Sequence, residues 1–83
     1  MSKAQTTIRH EAGGTVVTRL SDGYEAVLRD VGRCYRLSHR PAGKDAQWSF
    51  VDISHNTGAF DAVVRMVRRW LREDDLPICD VHA

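Results

Sequence analysis

Between Thr15 and His39 three strand-length stretches alternate apolar with polar residues, and two short glycine-bearing turns separate them. Period-two alternation marks a strand with one face buried and one face wet. Such stretches joined by tight turns fold as an antiparallel meander. Ser21-Asp22-Gly23 lies between Thr15–Leu20 and Tyr24–Arg29. Read as a three-residue hairpin loop with a left-handed Gly23, it pairs Leu20 with Tyr24, Thr18 with Ala26 and Val16 with Leu28 on one apolar face. Arg19 then stands opposite Glu25 on the other face, beside Val17 opposite Val27, and the opposite charges support that register. A turn centred on Val31-Gly32 pairs Leu28 with Tyr35, Ala26 with Leu37 and Tyr24 with His39. The polar face accordingly collects Arg19, Arg29 and Arg36 with Glu25, Cys34 and Ser38.

Thr6–Glu11 reads as a short strand ended by the Gly13-Gly14 turn, and Arg40–Ala46 as a loop punctuated by Pro41 and Gly43. Gln47–Ser54 is a further strand. Trp48 and Phe50 alternate there with Val51 and Ile53, and bulk favours Trp48 and Phe50 as the inward pair, although that also turns Asp52 inward. Ser54-His55-Asn56-Thr57 offers capping side chains for a helix from about Gly58 to Glu73. Ala59, Phe60, Val63, Val64, Met66, Val67, Trp70 and Leu71 cover one continuous face of roughly 160° on that helix. Asp61, Arg65, Arg68, Arg69 and Arg72 fall opposite, with Asp61 spaced to pair with Arg65. The expected fold is α+β: an antiparallel meander of four to five strands with one C-terminal amphipathic helix packed on one face. Residues 1–83 read as a single small domain with a loose terminus at 1–5 and an irregular tail at 76–83.

Hydrophobic content of 42% and a net charge of +1 set the chain apart from disordered sequences. No apolar run approaches the length of a membrane span, and residues 1–15 lack a signal-peptide core, so a cytoplasmic protein without membrane contact is expected. Cys34 and Cys79 then read as thiols. With so small a net charge, an anionic partner has to be met by a local patch.

Chemistry-bearing patterns are sparse. Cys34, His39, Cys79 and His82 have the spacings C-x4-H and C-x2-H, but the strand register points Cys34 and His39 to opposite faces, against a zinc site. His55, near Asp52 and beside Asn56, reads as part of a capping loop rather than as a general base. No phosphate-loop, dinucleotide, nucleophile-elbow or zinc-protease pattern occurs. No catalytic residue, metal or cofactor is therefore assigned, and a non-enzymatic role is expected.

Two arginine-bearing surfaces remain. The helix stripe Arg65, Arg68, Arg69 and Arg72 suits phosphates or an acidic protein surface, and the sheet face with Arg19, Arg29 and Arg36 suits a protein or a nucleic acid. The leading expectation is a protein-interaction module, a stand-alone inhibitor or adaptor of phage or plasmid type, with the border at Met66 and Trp70 as its contact or as a homodimer seam. Nucleic-acid binding is the alternative. Sheets that bind single strands add exposed aromatics for stacking. Tyr24 and Tyr35 fall on the buried side here, and Trp48 and Phe50 are exposed only in the less favoured register of their strand.

Overall fold

The computed structural model describes residues 5–73. Its elements are β1 (Thr6–Glu11), β2 (Gly14–Arg19), β3 (Glu25–Asp30), β4 (Tyr35–Arg40), β5 (Ser49–Ile53), a 3-10 turn (His55–Thr57) and α1 (Phe60–Arg72). The strands form one antiparallel sheet in sequential order, with α1 across one face. This is the α+β meander that the alternation implies. The expectations for the tail at 76–83, for Cys79 and for His82 lie outside the described residues. Among the described residues no helix is long and apolar enough to cross a membrane.

The core lies between sheet and helix. Val17, Ala26, Leu28, Tyr35, Leu37 and Ile53 meet Val63, Val64, Val67 and Leu71, with Tyr24, Val51, Phe60 and Trp70 at the border. Leu28, Leu37 and Leu71 are almost wholly buried, each contributing about 1.5–3 kcal/mol by the area it removes from water. The helix begins two residues later than the capping pattern implies. Ser54 Oγ accepts from Asn56 N at 3.0 Å and so caps the 3-10 turn instead. Ala59 precedes α1 with no side-chain cap. Tyr35 fastens this junction by donating its hydroxyl to Gly58 O at 2.9 Å. Asp61 and Arg65 form no ion pair among the described residues.

Three register expectations need correction. The first hairpin loop has four residues, Leu20–Gly23, not three: Arg19 N donates to Tyr24 O and Gly23 N to Arg19 O, each at 2.8 Å. Gly23 does adopt the left-handed region, with φ 75°. The extra residue slides β2 by one position, so that Val17 pairs with Ala26, Val16 with Val27 and Thr18 with Glu25. A slip of one exchanges the two faces of a strand. Val17 and Arg19 therefore face the helix, and Val16 and Thr18 face away.

An arginine on the helix side is tolerated because its donors are met. Arg19 Nη1 donates to Leu71 O at 2.7 Å, and Nε and Nη2 donate to Asp22 at 3.0 and 2.7 Å. The first contact caps a carbonyl in the last turn of α1, where positive charge is favoured. The hydrogen bond from Arg19 holds the Asp22 carboxyl down at about 2, helped by the backbone N–H of Tyr24.

The second hairpin is shifted by two positions. Asp30 pairs with Tyr35, Leu28 with Leu37 and Ala26 with His39. An even shift preserves the faces, so Tyr35, Leu37 and His39 point inward as the alternation implies. In β5 the inward residues are Val51 and Ile53, which pair with Leu37 and Tyr35, and Trp48 and Phe50 are exposed. Asp52 decides this. Turned outward, it meets Arg36 Nε at 3.0 Å, whereas turned inward it would be a carboxylate in an apolar layer.

Candidate functional site: the open face of the sheet

The face away from α1 is crossed by a row built from every strand: Arg9, Val16, Val27, Ser38 and Phe50 stand side by side by register. Arg29, Arg36 and Asp52 form the row on one side, and Thr18, Glu25 and Arg40 the row on the other. Val16 and Val27 are only 3% and 7% exposed although no described element lies over them. They form an apolar floor between charged banks.

Three of its arginines are paired. Arg36 meets Asp52, Arg40 Nε lies 3.5 Å from Glu25 Oε1, and Arg9 pairs with Glu11. The Arg36 hydrogen bond pulls the Asp52 carboxyl below its ordinary value. Arg29 has no ion pair among the described residues. Its aliphatic stem lies against Gly14, where a Cβ would stand 2.8 Å from Arg29 Cγ and 2.8 Å from Leu28 O. The glycine thus leaves the room that Arg29 occupies.

At the β5 end, Trp48 and Phe50 are the large exposed aromatics of this face, at 36% and 56%. The Arg40 guanidinium sits 4.3 Å above the Trp48 ring, a cation–π distance that fixes both side chains. Two hollows flank Phe50. One, of about 220 Å³, is lined by Val27, Arg29, Ser38, Trp48 and Phe50, and the other, of about 340 Å³, by Arg36, Phe50 and Asp52. Ser38 is 6% exposed, and its hydroxyl forms no hydrogen bond with any described residue.

The structure therefore brings Arg29 and Arg36 together, as the sequence implies, but not Arg19. Arg19 is 7% exposed beneath the helix end and is removed from the sheet-face set. Arg40, Trp48, Phe50 and Ser38 take part instead. The signal that finds Trp48 and Phe50 is Asp52, which shares their parity and cannot be buried cheaply.

The helix stripe lies on the other side of the molecule. Arg65, Arg69 and Arg72 are exposed with no carboxylate partner among the described residues, and with Arg68 and Glu73 they line a hollow of about 260 Å³. Arg68 is half-buried and donates from Nε to Thr6 Oγ1 at 3.2 Å, tying α1 to β1. Met66 and Trp70 are both half-buried, and Trp70 packs on the core.

The remaining candidates make contacts within the fold. His55 Nε2 lies 3.1 Å from Asp30 Oδ1, and its ring meets Tyr35 edge-on at 4.6 Å. Asp30 is held below the usual carboxylate range first by the Gly32 N–H and then by His55. His39, buried on the helix side of the sheet, lies 2.9 Å by Nδ1 from the Tyr24 hydroxyl, and burial lowers its pKa. Cys34 is a half-buried thiol. Among the described residues no three metal-ligating side chains converge.

No protein-family model, curated protein or solved structure matches the chain.

Proposed function

We propose that the protein binds single-stranded nucleic acid across the open face of its sheet. Trp48 and Phe50 serve as stacking platforms, and Arg29, Arg36 and Arg40 contact the strand's phosphates. The observation that carries this reading is the exposure of two aromatics beside three arginines on one antiparallel sheet. Residues two apart on an extended chain stand roughly 6–7 Å from each other, a separation at which each ring can take its own unstacked base. Stacking on an aromatic contributes about 1–3 kcal/mol per base and tolerates any sequence.

Charge plays the smaller part. Three of the four arginines on the face already have carboxylate neighbours, so only two or three phosphates are expected to be neutralised. For a single strand that corresponds to a log–log salt slope of about −1.4 to −2.1. The test is fluorescence anisotropy with a labelled oligonucleotide, single-stranded and duplex, over a salt series. The expected result is preference for the single strand, a shallow salt slope, and roughly 5- to 150-fold weaker binding by Trp48→Ala or Phe50→Ala. Absence of binding at low salt, or unchanged binding by both variants, overturns the proposal.

A protein-interaction role through the helix is the second reading. It is supported by Arg65, Arg69 and Arg72, three exposed cations without carboxylate partners among the described residues. An acidic protein surface would supply those partners. Reversing the charge of Arg65 and Arg69 separates the readings, because it abolishes capture of an acidic protein and leaves stacking on Trp48 and Phe50 intact. Arg68 is a poorer probe, since it also holds Thr6.

A further inference from the structure

We propose that the hollow between Trp48, Phe50 and Arg29 is a pocket for one nucleobase, whose edge is read by the Ser38 hydroxyl; this rests on the sheet-face reading above. The first reason is Ser38 itself. It stands in a row between Val27 and Phe50, at 6% exposure, with no hydrogen-bond partner among the described residues. Buried hydroxyls are nearly always hydrogen-bonded, and burying one without a partner costs about 1–3 kcal/mol. The side chain lines the hollow, so a group entering there supplies the missing partner.

The second reason is size and wall chemistry. At about 220 Å³ the hollow falls below the roughly 300–1,000 Å³ of pockets that hold drug-sized ligands. It suits one flat ring system, not a whole cofactor. Its walls are two aromatic side chains and the Val27 side chain, which favour a flat, partly apolar guest. The third reason is charge. Arg29 lines the same hollow without an ion pair among the described residues, and the base of a nucleic acid strand brings a phosphate with it. A flat polar-edged ring joined to an anion is the chemistry of a nucleotide unit.

A serine hydroxyl both donates and accepts, so it pairs with a ring carbonyl, ring nitrogen or amino group. It therefore ranks bases instead of selecting one absolutely. The net worth of one such neutral bond corresponds to a roughly 3- to 10-fold difference in affinity.

The experiment measures anisotropy of labelled oligo(dT), oligo(dC) and oligo(dA) with the full chain and with Ser38→Ala, Ser38→Val and Arg29→Ala. The wild type is expected to prefer one homopolymer. Ser38→Ala should weaken that complex about 3- to 10-fold and move the others less than about 2-fold, flattening the preference. Ser38→Val, which fills the floor of the hollow, should weaken all three. Arg29→Ala should weaken all three equally and reduce the salt slope by about 0.7. If the oligonucleotides bind but Ser38→Ala keeps the wild-type ranking, the pocket is overturned and the sheet-face reading stands. Binding without any base preference also overturns the pocket alone. If the wild type binds none of the three, both proposals fall.

Discussion

Replacing Arg19 with alanine tests the register of β2, on which the composition of the open face depends. In the structure Arg19 is buried, and its guanidinium donates to Leu71 O at the end of α1 and to Asp22. A hydrogen bond from a charged donor contributes about 1.5–3 kcal/mol. The Asp22 side chain is 52% exposed, so that pair is discounted for solvent to at most about 1 kcal/mol. Arg19→Ala should therefore cost about 2–4 kcal/mol. For a chain of 83 residues the whole stability is of order 4–12 kcal/mol, so the loss is a large share of it. Urea denaturation followed by circular dichroism reads this as a midpoint lowered by about 1–4 M, at an m-value near 1–2 kcal/mol/M. Were Arg19 on the open face, opposite Glu25, the change would stay within about 0.5 kcal/mol, as for any solvated side chain. Arg36→Ala, on the exposed Arg36–Asp52 pair, is the internal control and should leave the midpoint close to that of the wild type. An Arg19→Ala midpoint indistinguishable from the Arg36→Ala midpoint would refute the register.

The same contact makes part of the stability sensitive to acid. The Asp22 carboxyl ionises at about 2 in the fold against 3.8 unperturbed, so its contribution is present above pH 3.8 and is lost as pH falls towards 2. A urea midpoint series across that window should show the Arg19→Ala deficit shrinking. His39 acts at higher pH. Burial lowers its pKa, so the unfolded chain binds its proton first, and stability should fall as pH drops through 6.5 towards the folded value. His39→Gln should flatten this segment of the curve. Leu37→Ala, at a site with no exposure, should cost about 2–5 kcal/mol, whereas Leu20→Ala, 56% exposed in the hairpin loop, should cost less than about 0.5 kcal/mol. Comparable losses at the two leucines would contradict the four-residue loop.

Strand number, strand order and the helix follow from alternation and helical periodicity, because both patterns span many residues and tolerate local error. Register does not, since it hangs on the length of each loop. Ser21-Asp22-Gly23 carries the turn chemistry, and Gly23 is left-handed as expected, yet Leu20 also belongs to the loop. That single residue exchanges the faces of β2 and moves Arg19 from the open face to the core side. The second turn sits one residue further along the chain, closed by Val31 N donating to Cys34 O, which shifts the register by two, and the faces survive. In β5, ranking by side-chain bulk fails because it weighs what burial of an aromatic gains and neglects what burial of Asp52 costs. Correcting that one strand exposes Trp48 and Phe50, which turns the sheet face into an aromatic and arginine surface. Ser38 has no sequence signal of its own. Its interest arises only from being buried beside a hollow without a described partner.

The measurement that bears most directly on the central claim is a chemical-shift map of the isotopically labelled protein titrated with a single-stranded oligonucleotide at low salt. The account predicts that perturbed amides cluster at Arg29, Ser38, Trp48 and Phe50, with the Trp48 indole among the largest shifts and little change along Arg65–Arg72. Shifts confined to the helix arginines, or no shifts at all, would contradict it.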